Sequence, residues 1–345
     1  MKINFFLLLI VLLFYSLSLL SQPQAQGEDF TILFYNVENL FDIRDEPGKE
    51  DDEFTPTGER YWTNRKLDKK LVNISKVILN SSGFTKPDVI ALCEIENREV
   101  LERLLYSTPL KKYNYKIIHK ESPDHRGIDV ALLYRPETLY PLNYKYFPVV
   151  QGDEIIKTRE VLYFSGIINE LDTVHFFVNH WPSRYEGILE SEPLRKLAAQ
   201  LLKTKVEEVR SKSENSKIII LGDFNDQPTD ASIRETLDAQ SLSNNIENDR
   251  LYNLSFRWME DEIKTLKYQS QWSVYDQCIV SGSLVNSKKG YSILPGNTKI
   301  IKLPFLLERD EKYGGVKPFR SYNGYSYKGG FSDHLPVLLK LTLLN

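Results

Sequence analysis

The sequence predicts an α/β protein with a large or doubled mixed sheet and helices packed on its outside. Three observations carry that prediction. Apolar, β-branched runs bounded by turn residues recur along most of the chain, helical periodicities separate the early ones, and strands crowd the second half. The strands are expected near 30–36, 87–94, 114–119, 128–135, 161–168, 174–180, 217–223, 274–281 and 335–343.

Helices are fewer. From Thr63, read as an N-cap, to Asn80, the residues Leu67, Leu71, Ile74 and Ile78 recur at helical spacing, with Lys66, Asp68, Lys69, Lys70 and Lys76 assigned to the other face. A second helix is expected from about Arg98 to Tyr106. A third is expected to start at Pro193, a good first-turn residue, and to run through Leu194, Leu197, Leu201 and Leu202 to about Lys212. Two loops have unusual composition: 42–62 is acidic and broken by prolines, and 313–330 is crowded with Gly and Tyr. Ordered loops of that length are more often functional than idle.

The composition is globular, with 41% hydrophobic and 12% aromatic residues among 345. Lys and Arg number 44 against 47 Asp and Glu, a net charge of -3, so the chain lacks the pervasive positive field of a protein that grips long duplex through its phosphates. A basic groove remains open as a local feature. Residues 1–26 read as a secretory leader: one Lys, an apolar stretch from Phe5 to Leu20, then a polar exit with cleavage between Ser21 and Gly27. The alternative is an uncleaved membrane anchor through residues 5–20. Either places the remainder, 27–345, outside the cytoplasm, secreted or periplasmic. No long-period repeat or low-complexity linker divides that remainder, and it is read as one domain. Cys93 and Cys278 each lie in an apolar run and read as buried thiols; a bridge between them is open but not implied.

The chemistry lies where apolar runs stop. "IIILGDFN" carries branched side chains inward only to deliver Asp223 and Asn225 at its tip, although desolvating a carboxylate is costly without a cation or donors beside it. The pattern repeats. "TILFYNVEN" ends in Asn36 and Glu38, "VIALCEIEN" in Glu94, and "VHFFVNHWPSR" in Asn179 and His180; "WSVYDQCIV" contains Asp276, and "GGFSDHLPVLL" places Asp333 and His334 at the entry of the last strand. Singly, each of these is more often a turn, cap or structural residue. Together they suit metal-assisted hydrolysis: hard oxygen ligands favour Mg²⁺ or Mn²⁺ over Zn²⁺, and two histidines offer donors to a phosphoryl transition state.

The set N-x-E, C-E, N-H, G-D-F-N, Y-D-Q and S-D-H, in this order from about 30 to 343, resembles the endonuclease/exonuclease/phosphatase superfamily, which includes deoxyribonuclease I, abasic-site endonucleases, inositol-polyphosphate phosphatases and sphingomyelinases. The resemblance implies a deoxyribonuclease I-like four-layer sandwich, two mixed β-sheets face to face flanked by helices, with the site at one end between them. It implies Glu94 as the principal Mg²⁺ ligand with Asn36, Glu38 and Asp333 in the metal site. It further implies Asp223 as the residue that orients or deprotonates the attacking water, and Asn225 as an amide on a phosphate oxygen. His334 is then the histidine beside the scissile phosphate, Asp276 its orienting carboxylate, and His180 a second phosphate-binding histidine. Whether Asp223 or His334 is the base stays open. Cys93 stands where many members have Gln, and strand alternation points it away from Glu94. Asn179, Arg126 and Arg184 are assigned to phosphate contact, with arginines paired to acids as the alternative.

The expected activity is hydrolysis of phosphodiesters, endonuclease-like, with nucleic acid as the favoured partner. A phosphatase or phospholipid phosphodiesterase of the same fold is the alternative. A non-catalytic binding protein would have eroded this polar set. For a nuclease, Phe319, Tyr322, Tyr325 and Tyr327 would stack bases beside Lys317, Arg320 and Lys328; the other reading makes this loop self-packed support for residues 332–334. No protein partner is implied, and the chain is read as a monomer.

Overall fold

The computed structural model describes residues 29–83, 85–185 and 187–345. The expected leader or anchor lies outside these residues. Among the described residues no helix is long and apolar enough to cross a membrane.

The principal strands, in chain order, are β1 (Phe30–Leu40), β2 (Val89–Ile95), β3 (Lys116–His119), β4 (Asp129–Tyr134), β5 (Leu139–Phe147), β6 (Val161–Ile168) and β7 (Asp172–His180). They continue with β8 (Lys217–Asp223), β9 (Ala239–Gln240), β10 (Leu251–Asn253), β11 (Asp276–Ser281), β12 (Gly290–Ser292), β13 (Thr298–Ile300) and β14 (Val337–Leu344). The longer helices are α1 (Asn64–Ser81), α2 (Arg98–Tyr106) and α3 (Ile188–Arg210). One sheet runs β12-β14-β1-β2-β4-β3, with β13 also on β14, and the other runs β9-β10-β11-β8-β7-β6-β5.

The two sheets share a plan. Each has a parallel pair near its centre, β1 with β2 and β7 with β8, and each pair is flanked by antiparallel strands. Strand alternation divides the apolar side chains of the second sheet. Phe176, Val178, Ile219, Leu221, Cys278 and Val280 join the core that also contains the first sheet, whereas Phe177, Ile218, Ile220 and Ile279 pack with Ala198, Ala199, Leu202 and Val206 of α3. With α1 and α2 packed against the first sheet's side of the core, the result is the four-layer sandwich.

Three expectations change. α3 begins at Ile188, so Pro193 lies inside the helix rather than at its first turn. The long strand β5 was not expected, because its exposed sequence LYPLNYKYF has no apolar run; it is an edge strand, and its Pro141 sits at a register shift against β6. Lys70, assigned to the outer face of α1, is 2% exposed. Thr63 does hold the N-cap position of α1, though its side chain makes no capping hydrogen bond. Cys93 and Cys278 are buried and free.

Candidate active site

The C-terminal ends of both parallel pairs meet at one end of the sandwich. In the second sheet the register does the positioning: Asp223 stands opposite His180 on one side and Asp276 on the other. Gly222, one residue before, is required by the neighbouring strand, since a Cβ there would sit 2.6 Å from both the Cβ and the carbonyl oxygen of Asn179. In the first sheet, alternation is broken on purpose. Between Asn36 and Leu40 the register of β1 shifts against β2, and Glu94 is the extra residue between Cys93, paired with Val130, and Ile95, paired with Asp129. Glu38, Asn39 and Glu94 carry left-handed φ of 54°, 51° and 62°, a conformation that costs a non-glycine residue of order 1 kcal/mol or more.

These two edges place Glu94, Asn36, Asp223, His334 and Asp276 in one chain of contacts. Asn36 Nδ2 donates to Glu94 Oε1 at 3.1 Å and to Asp223 Oδ2 at 3.0 Å. Asp223 Oδ2 lies 3.7 Å from His334 Nε2 and 3.8 Å from His180 Nε2. His334 Nδ1 is 2.7 Å from Asp276 Oδ2. Ser332 fixes the loop by donating to Asn36 O at 2.8 Å and accepting from His334 N at 3.0 Å. Glu94 is the least buried of the five, and its Oε2 accepts from Asn39 N at 2.8 Å.

Burial sets the electrostatics. It raises the Asp223 carboxyl above its usual value, with Asp276 adding to the effect and His334 opposing it. Burial alone would lower the His334 imidazole, but Asp276 and Asp223 override it and hold His334 well above an ordinary histidine. His180 goes the other way: burial, then Arg159, Arg126 and His334, push it well below the usual value, so it is neutral at neutral pH. Two buried atoms here, His180 Nδ1 and Asp276 Oδ1, have no hydrogen-bond partner in the protein.

Other sequence candidates are engaged elsewhere. Asn179 is fully buried, accepts from Trp181 Nε1 at 3.2 Å and donates to backbone carbonyls of Phe177 and Leu221, so none of these polar contacts faces the cluster. Arg184 donates to Asn225 O at 2.6 Å, pairs with Asp226 and Asp230, and lies over the Tyr275 ring. It braces the 225–230 turn, the acid-paired alternative to phosphate contact. Asn225, at φ 50°, donates through Nδ2 to Trp181 O at 3.0 Å. Arg126 donates through its backbone N to Asp124 Oδ1 at 3.0 Å, its guanidinium lies 4.0 Å from the same oxygen, and the Glu94 and Asp223 carboxylates act on its charge.

Three cations were missed. Arg159, buried at the start of β6, pairs with Asp124 at 2.8 Å and donates to the carbonyls of His180 and Trp181, tying the Arg126 loop to β7. Arg320 was assigned to a nucleic-acid rim; instead its Nε donates to Glu38 Oε1 at 2.8 Å and its guanidinium reaches Asp333 Oδ2 at 2.9 Å. Lys70 Nζ lies 3.7 Å from Glu38 Oε2 and donates to Ser321 Oγ and Phe331 O. Only Lys70 had a legible signal, since its place between Leu67 and Ile74 is on the apolar stripe.

Loop 313–330 is largely self-packed. Tyr322 is buried against Tyr327, and Asn73 of α1 holds the carbonyls of Gly329 and Gly330. Against loop 42–62 it encloses a cavity of ≈ 230 Å³ lined by Glu38, Phe54, Arg60, Trp62, Arg320 and Tyr322.

A comparison with curated proteins finds no match. Among solved structures, TDP2 from Caenorhabditis elegans has a TM-score of 0.55 at 13% identity, over 94% of this chain and 78% of that one. The human nocturnin catalytic domain with bound sulfate gives 0.53 at 12%, over 91% and 94%. A mannosyl-6-phosphatase of Bacteroides thetaiotaomicron gives 0.54 at 15%, over 91% and 100%. At these identities the likeness is one of fold. Sequence decides membership: the profile described as Endonuclease/Exonuclease/phosphatase family matches residues 31–343, and the chain belongs to that family of phosphate-ester hydrolases.

Proposed function

We propose that this protein is a divalent-metal-dependent phosphodiester hydrolase that acts on nucleic acid through an activated water. The observation that carries the reading is the unbroken chain from Glu94 through Asn36 and Asp223 to His334 and Asp276. The donor set fits a hard cation. Its oxygen donors are carboxylates, its most open member is Glu94, and the Cys93 thiol nearby is pushed up by burial and stays protonated. Glu94, oriented by the Asn36 amide that donates to its Oε1, would hold Mg²⁺ or Mn²⁺, which supplies charge to a phosphoryl oxygen and acidifies water when bound.

The chain's own groups divide the remaining work. Asp223, made more basic by burial, accepts the proton of the attacking water. His334, with Nδ1 turned to Asp276, presents Nε2 as a charged donor to the phosphate or its leaving oxygen. His180 is a neutral imidazole on the other side of Asp223 and Arg126 a partly exposed cation, and both serve to position the phosphate.

For the substrate, exposed Tyr61 and Tyr325 flank Arg60 at the lip of the cavity and offer rings for stacking, and a TDP2 from D. rerio is known complexed with a single strand DNA product. A second reading has its own observation. Beyond β1 and β2, an open cavity of ≈ 350 Å³ is lined by Asp42, Arg44, Asp45, Glu46, Glu96 and Glu121, an acid-rich rim that disfavours a long polyanion and leaves room for a small phosphate ester. Plasmid DNA, RNA, sphingomyelin, inositol phosphates and sugar phosphates, each with Mg²⁺ or Mn²⁺ and with Asp223→Asn as control, separate the two. Nicking of DNA that the variant abolishes is expected. Cleavage of small monoesters alone would transfer the assignment to a phosphatase, and no turnover of any ester by folded protein would end the enzyme reading.

A further inference from the structure

Four carboxylates crowd the cluster and its approach, Glu38, Asp333 and Glu94 from the first-sheet side and Asp223 from the second sheet. They are not equivalent. Asn36 joins Glu94 and Asp223 to each other, whereas Glu38 and Asp333 are joined by a guanidinium. Arg320 places Nε on Glu38 Oε1 at 2.8 Å and a terminal nitrogen on Asp333 Oδ2 at 2.9 Å. The other oxygen of Glu38 accepts from Ser321 N at 2.8 Å and faces Lys70 Nζ at 3.7 Å.

Hydrolases that use two ions need carboxylates free to face both, with the ions about 3.5–4 Å apart. Here the Glu38–Asp333 pair carries two negative charges and already meets two positive ones, Arg320 and the 2%-exposed Lys70. A planar fork satisfies two separated carboxylates in a way a single ammonium cannot. We propose that Arg320 is a built-in substitute for a second divalent ion: it occupies the gap between Glu38 and Asp333 and confines the site to one ion, held by Glu94. The inference rests on the metal-dependent reading above and deepens it. The partly exposed Arg320 side chain also lines the cavity, next to Arg60.

The test counts ions with no substrate present. The full chain is titrated with MnCl₂ by calorimetry, and the loaded sample is examined by electron paramagnetic resonance. Wild type is expected to bind one Mn²⁺ per chain with an isolated-ion spectrum, and Glu94→Gln to lose it. Arg320→Gln is expected to bind two and to show a spin-coupled pair. Arg320→Lys keeps the charge, guards against misfolding of the Gln variant, and is expected to admit a second, weaker ion because one ammonium cannot cover both acids. Two ions in wild type, or one ion in both folded Arg320 variants, overturns the assignment to Arg320 and leaves the hydrolase reading standing. No ion in wild type at any concentration, with ester hydrolysis unaffected by chelator, overturns metal dependence itself and this proposal with it.

Discussion

The two sheets deliver their site residues by opposite devices. The second sheet uses regular pairing: Asp223 sits in register with His180 and Asp276, and Gly222 lets β8 close on Asn179. The first sheet uses irregularity, with Glu38, Asn39 and Glu94 held left-handed in adjacent bulges and with Arg320 and Lys70 set against Glu38. The difference teaches that polar side chains can be fixed by the ladder itself, whereas an acid-rich edge must be bent out of the ladder and neutralised from a distant helix and loop.

The largest effect should separate the edges by function. Asp223→Asn is expected to lower turnover by about 10³-fold or more with an unchanged melting temperature, and Glu38→Gln by no more than about tenfold. Equal losses would erase the distinction. Next comes steric closure. Gly222→Ala should destabilise by about 3 kcal/mol in denaturant titration, because its Cβ would meet Asn179 backbone at 2.6 Å; a shift under about 0.5 kcal/mol would show that the second edge is not rigid.

The acidic rim predicts a pH effect on the first edge. Burial raises Glu96 from the usual 4.5 to about 8, so the folded state binds its proton more tightly than the unfolded chain. That contribution is complete below about pH 4.5 and is lost as pH rises through about 8. Glu96→Gln should therefore remove a loss on the order of 2 kcal/mol across that window, read as a flatter melting temperature against pH. Parallel curves for wild type and variant would refute it. The smallest effect tests strain: Asn39→Gly should stabilise by about 0.5–1 kcal/mol, since its φ of 51° suits glycine and its backbone N–H to Glu94 is kept. Destabilisation would mean that the bulge is held by the Asn39 side chain.

Much of this was legible in the sequence for one reason: Asn36, Glu94, Asp223, Asp276 and His334 each interrupt or end an apolar run, and a buried strand with a polar tip is a local signal. Arg320 and Arg159 lie outside such runs, and Arg320 reaches Glu38 from 282 residues away in the sequence, a pairing that no local pattern encodes. Asn179 and Arg184 take structural partners because a polar residue at a strand end can turn inward to brace a neighbour as readily as outward to a ligand. The strand β5 escaped because an exposed edge strand has no apolar face to announce it.

The strand β14 is an interior member of its sheet, with β1 on one side and β12 and β13 on the other, although β1 and β14 lie at opposite ends of the domain's sequence. Any polypeptide broken off before Val337 would therefore leave Phe30–Phe34 of β1 unpaired on one side and the His334 loop without the strand that follows it. Hydrolytic power would switch on only after translation had passed that point, and fragments from premature stops would be inert and prone to clump rather than partially active.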